Sequence, residues 1–208
     1  MYATPRSLDR YLASFASFVL LAAMTGCGGA GGPAISSASM EEAAASSSTL
    51  VGAKAPDVSR LDQDDRSVRL KDYRGRWVVL YFYPKDDTPG CTCEATEFTY
   101  LLERFHQAGA DVLGVSPDTT GNHRFFREKY DLKVRLLSDT DRKLMRAYGA
   151  WIDGRIAGRT IGRVIRSTFL IDPAGKIAWH WPEVIPQGHA ERVRQKLEQL
   201  QAEAAAAS

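Results

Sequence analysis

The apolar residues of this 208-residue chain change period several times, and each change marks an element. From Trp77 to Tyr83 the chain reads WVVLYFY, a β-branched and aromatic run preceded by Gly75, which predicts a strand buried on both faces. Pro84 ends it, because proline has no N–H to give to a sheet. The polar loop KDDTPG follows, and Gly90 is expected to supply a tight turn before Cys91. Phe98, Leu101, Leu102 and Phe105 then recur at helical spacing, and Gly109 closes that helix. Val112–Val115 reads as a second buried strand, Asn122–Tyr130 as an amphipathic helix, Val134–Leu137 as a strand and Leu144–Tyr148 as a short helix. The Gly- and Arg-rich Trp151–Val164 is a loop or hairpin. Ser167–Ile171 and Ile177–Trp181 form a hairpin around DPAG, and Glu191–Glu203 is the last helix. Ahead of all these, Val58 and Leu61, then Val68 and Leu70, mark short extended pieces. Strands alternating with helices, then a hairpin and a helix, predict an α/β domain with a central mixed β-sheet flanked by helices on both faces.

The first 50 residues have a different texture. Arg6 and Arg10 precede an uncharged stretch, Tyr11 to Met24, of signal-peptide length and short for a membrane span. It ends LAAMTGC at Cys27, which resembles the bacterial lipobox, with Met24 where that motif usually has leucine. Residues 1–27 are therefore expected to be a signal peptide, with Cys27 the lipidation site. Residues 28–50 are Gly-, Ala- and Ser-rich and cannot bury enough apolar area to fold alone, so they predict a flexible tether to a folded domain at 51–208. With Gly28 after Cys27, the pattern resembles lipoproteins sorted to an outer membrane. The expected location is outside the cytoplasm, periplasmic or anchored to a membrane by an N-terminal lipid.

Charge excludes one class of partner. The formal net charge of +2 comes from 27 basic and 25 acidic residues with no basic block, so nucleic acid is not indicated. The chemistry concentrates at Cys91. A cysteine in the first turn of a helix sits beside unpaired N–H groups at the positive end of the helix dipole, which favours thiolate over thiol, and the thiolate is the nucleophile. Cys93 makes the string CTC, but two thiolates are an incomplete metal site and His106, His123, His180 and His189 are scattered, so no metal or cofactor is expected.

Pro84-x-x-x-Thr88-x-x-Cys91 matches the P-x-x-x-T-x-x-C signature of peroxiredoxins, and FYPKDDTPGCT closely resembles the peroxiredoxin Q group, or bacterioferritin comigratory proteins. GAKAPD, GVSPD, LLSD and RSTFLID extend the resemblance over about Val51 to Leu200. The resemblance implies a thioredoxin-like fold and a thiol-dependent peroxidase acting on hydrogen peroxide and organic hydroperoxides. By it, Cys91 is the peroxidatic cysteine that becomes a sulfenic acid. Thr88 orients thiolate and peroxide, Pro84 shields the sulfur, and Arg166 at the head of RSTFLID stabilises charge. Read from the residues alone, Thr88 is equally a turn residue and Arg166 one of several arginines. His123 matches a family histidine and is expected to order its loop.

The resolving cysteine that many members carry five residues on is Thr96 here, and Cys93 stands two residues on instead. Three routes are open: resolution by Cys93 after local unfolding, direct reduction by an external thiol, or pairing between molecules. The donor is a thioredoxin-like protein or a small-molecule thiol, and export puts cytosolic thioredoxin out of reach. The rivals on the same fold are a thiol–disulfide exchange protein, which lacks its C-x-x-C here, and a peroxide sensor.

Overall fold

The computed structural model describes residues 50–156 and 159–206, with the backbone alone for 155, 156, 159 and 160. The signal-peptide, lipidation and tether expectations lie outside the described residues. Among the described residues nine strands form: β1 (Arg60–Asp62), β2 (Ser67–Val68), β3 (Trp77–Phe82), β4 (Ala110–Ser116), β5 (Arg135–Ser138), β6 (Trp151–Ile156), β7 (Arg159–Val164), β8 (Ser167–Ile171) and β9 (Ile177–Trp181). The helices are α1 (Pro89–Gln107), α2 (Thr120–Tyr130), α3 (Lys143–Ala147) and α4 (His189–Ala206). A seven-stranded sheet runs β2-β1-β5-β4-β3-β8-β9, while β6 and β7 make a separate two-stranded ribbon. Strand β3 pairs parallel with β4 and antiparallel with β8, so the sheet is mixed and β3 is central.

Both faces of β3 are apolar because both are covered. Val79, Tyr81 and Tyr83 point into one core with Phe98, Leu101 and Phe105 of α1, Phe126 of α2 and Val193 and Leu197 of α4. Val78, Leu80 and Phe82 point into the other, with Leu144 and Met145 of α3, Tyr148, Phe169 and Ile177. Tyr81 stacks on Phe98 with ring centroids 4.7 Å apart, and each such ring contributes about 1.5–3 kcal/mol of burial. Gly114 of β4 is needed at this contact: a Cβ there would lie 2.6 Å from the Tyr81 ring.

Two local expectations are corrected. Leu70 opens a 3-10 turn, Leu70–Tyr73, rather than extending a strand, with Asp72 accepting from the Arg69 amide. Gly90 makes no turn either: it is the second residue of α1. The tight turn before Cys91 falls on Asp87, at φ 58° in the left-handed region. An aspartate tolerates that region better than most residues, and here Lys129 and Tyr130 of α2 both hydrogen-bond its carboxylate.

Candidate active site around Cys91

The sheet register assembles the site. Helix α1 starts at Pro89, whose missing N–H is no loss at a first helical position. Helix geometry leaves the Gly90 and Cys91 amides without intrahelical acceptors, whereas the Thr92 amide already reaches the Thr88 carbonyl at 2.8 Å. The Cys91 thiol therefore sits at the electropositive end of a 19-residue helix. It is also 1% exposed. With so little solvent at the sulfur, its polar neighbours decide its chemistry.

Strand β8 brings the decisive neighbour. Ser167 pairs with Phe82 at the end of β3, which sets Arg166 just beyond the point where the Cys91 loop departs. From there Arg166 Nη2 lies 3.1 Å from Cys91 Sγ, and Nη1 donates to Glu94 Oε2. The backbone at Arg166 is held as well, its carbonyl accepting from Val184 N at 3.0 Å. Burial acts to lower the Arg166 pKa, but Glu94 and the Cys91 sulfur outweigh it and hold the guanidinium above its usual range. One side chain, 75 residues away in sequence, thus joins the sulfur to a buried carboxylate.

Glu94 escaped the sequence reading. It is wholly buried, one helical turn past Cys91. Burial pushes its carboxyl up to about 7 against the downward pull of Arg166. A signal was present: the buried stripe of α1 runs through Cys91, Glu94, Ala95, Phe98, Leu101 and Phe105. A carboxylate on such a stripe requires a buried cationic or hydrogen-bonding partner.

The other sequence candidates lie where their elements place them. Pro84 is exposed just past the end of β3. The Thr88 hydroxyl donates to the Lys85 carbonyl at 3.1 Å, which closes the loop on itself. Cys93 lines a cleft of about 410 Å³ with Asp87, Pro89, Thr92, Thr96, Glu97 and Tyr130, and its sulfur lies 3.8 Å from Glu97 Oε1. Thr96, at the usual resolving position, is exposed in that cleft. His123 is buried on α2, with Nδ1 at 2.7 Å from Asp86 Oδ2.

Comparison with known proteins places the chain in a family. Residues 51–180 match the AhpC/TSA family. Peroxiredoxin Bcp of Bacillus subtilis is 40% identical over 150 residues, 72% of this chain and 96% of the relative. Peroxiredoxin Bcp of Xanthomonas campestris is 42% identical over 124 residues, 60% of this chain and 78% of that protein. A solved structure of the Xanthomonas campestris bacterioferritin comigratory protein superposes with a TM-score of 0.66 at 36% identity, over 72% of this chain and 95% of that one. That protein was studied for alkyl peroxide reduction through trapped intermediate and ligand complexes.

Proposed function

Because the chain belongs to the AhpC/TSA family and is a peroxiredoxin, a thiol-dependent peroxidase, we propose that Cys91 is its peroxidatic residue, with Arg166, Thr88 and Pro84 completing the site. The observation that carries this assignment is the 3.1 Å contact between Arg166 and the Cys91 sulfur at a helix N-terminus. The Cys91 thiolate attacks one oxygen of the hydroperoxide. The S–O bond forms as the O–O bond breaks, sulfur loses two electrons, and the other oxygen leaves to be protonated to water or alcohol. Arg166 and the Gly90 and Cys91 amides face the negative charge that spreads over the breaking bond. The Thr88 hydroxyl hydrogen is committed to the Lys85 carbonyl, so its oxygen is left to accept from the peroxide O–H and orient it. Pro84, exposed just past β3, ends that strand where the loop departs.

The sulfenic acid is then reduced by a thiol, whose sulfur displaces water to give a mixed disulfide that a second thiol resolves. We assign the first thiol to an external donor. Cys91 and Cys93 are two residues apart on α1, which puts their side chains about 200° apart around the helix, so a direct bond requires the first turn to unwind. Treating the protein with one equivalent of hydrogen peroxide and mapping the product by mass spectrometry tests both assignments. One oxygen added at Cys91 is expected. A Cys91–Cys93 disulfide removes the external-thiol step, and an unmodified Cys91 removes the peroxidatic assignment.

The leader supports a further reading, that the enzyme is exported and held at a membrane by a lipid on Cys27, with residues 28–50 as the tether. In that location its donor is an extracytoplasmic thioredoxin-like protein or a small thiol. Full-length protein produced in a Gram-negative bacterium is expected in the membrane fraction, and Cys27→Ala is expected to release it from there. An uncleaved protein in the cytosol overturns the export reading.

A further inference from the structure

A second buried polar cluster lies behind the Cys91 loop, and the chemistry above does not use it. Asp86, 6% exposed, sits in the middle of the loop that joins β3 to α1. Its carboxylate is fully engaged: Oδ1 accepts from the Tyr83 hydroxyl at 2.7 Å, and Oδ2 pairs with His123 Nδ1 at 2.7 Å. Its amide donates to Asp118 Oδ2 at 2.9 Å, and Asp118 is itself held by the Ser116 hydroxyl at 2.7 Å. Burial, then Asp86, raises the Tyr83 pKa well above its ordinary value, so its hydroxyl is a permanent donor. Three elements therefore meet on one loop residue: the end of β3, the turn after β4, and α2.

The histidine is placed for this contact. His123 is fully buried, and among the described residues its Nε2 has no hydrogen-bonding partner. Leaving a ring nitrogen buried without a partner carries a free-energy cost. That cost is borne for a single bond, and the bond ends on the loop that presents Thr88 and Cys91. The same helix grips the next loop residue too, since Lys129 Nζ and the Tyr130 hydroxyl hold Asp87 in its left-handed conformation. Asp87 is exposed and its pairs are screened, whereas the Asp86–His123 pair is dry and correspondingly directional.

We infer that Asp86 and His123 are positioning residues of the peroxidatic reaction: together they fix the 84–88 loop so that Thr88 and the first turn of α1 are arrayed around the sulfur before peroxide arrives. Arg166 reaches the sulfur from β8 independently of this clamp. Losing the clamp therefore misaligns the peroxide while leaving the cation in place, and a displacement of about 1 Å costs up to about a hundredfold in rate.

The test measures the second-order rate of Cys91 oxidation by hydrogen peroxide in four proteins by stopped-flow fluorescence, with unfolding midpoints alongside. His123→Ala is expected to slow oxidation roughly ten- to a hundredfold. His123→Asn places an amide N–H where Nδ1 was and is expected to recover the rate to within about threefold. Ile177→Ala, a destabilising change in the opposite core, controls for lost stability and is expected to react at the parent rate. The proposal is overturned if His123→Ala reacts within twofold of the parent, if Ile177→Ala is slowed as much, or if His123→Asn is no faster than His123→Ala. Should His123→Ala not fold, Asp86→Asn takes its place: tenfold or greater slowing is expected, and the parent rate overturns the inference.

Discussion

Cys91→Ser abolishes peroxide consumption while leaving the fold intact. The oxygen of serine fills less volume than the sulfur in a position that is 1% exposed, and the surrounding contacts with α1 and β8 are otherwise kept. What is lost is the nucleophile: an alcohol is not ionised at neutral pH and does not attack an O–O bond. The measurement is peroxide decay with excess thiol donor, and the expected residual is the uncatalysed reaction of the donor itself. Turnover above that background would move the catalytic role to another residue. Circular dichroism of the variant separates loss of chemistry from loss of structure.

Arg166→Ala has the next largest effect. It removes the cation 3.1 Å from the sulfur and strands Glu94 as a buried carboxylate without its partner. Removing one donor from a preorganised charge-stabilising site costs about 10²–10³ in rate, read as the second-order rate of Cys91 oxidation by hydrogen peroxide. An unchanged rate would mean that the helix N-terminus alone activates the sulfur.

Glu94 gives the same pair a dependence on pH. Its folded-state pKa of about 7 lies above the ordinary value of 4.5, so the folded protein holds a proton that the unfolded chain releases between those values. Stability from this group is therefore full at low pH and is lost as pH rises through about 7, by an amount of the order of 3 kcal/mol. The buried histidines act in the opposite direction. Burial lowers His180 to about 4 and, with help from Arg192 and Arg166, lowers His189 to about 3, so their contribution is lost as pH falls from about 6.5 towards those values. Urea unfolding of the parent and of Glu94→Gln at pH 5.5 and pH 8 isolates the carboxylate. The advantage of the glutamine variant is expected to grow with pH, and a constant difference would show that Glu94 is ionised throughout.

The order of elements was legible along the chain because it is a matter of period. The double-faced run at Trp77–Tyr83, the helical repeat of Phe98, Leu101 and Phe105, and the DPAG hairpin each carry their own signal, and each forms where that signal lies. Cys91 was legible for the same local reason, since a loop, a proline and a helical repeat define a helix start without reference to the rest of the fold. The family motif singled out Thr88, Pro84 and Arg166, but their spacing did not say what each side chain would touch.

Tertiary structure decided everything that depends on register between distant segments. Arg166 meets Cys91 because Phe82 pairs with Ser167, and Glu94 is buried because β8 delivers a guanidinium to its face of α1. Likewise, Asp86 and His123, 37 residues apart, read separately as a loop acid and a scattered histidine. The tight turn before the cysteine fell on Asp87 rather than Gly90 because Lys129 and Tyr130 of a different helix stabilise a conformation that local propensity would have assigned to glycine. Local pattern reports the free energy of a segment with its neighbours in sequence. The partners of a buried charge are set by how strands align, and that alignment is a property of the whole sheet.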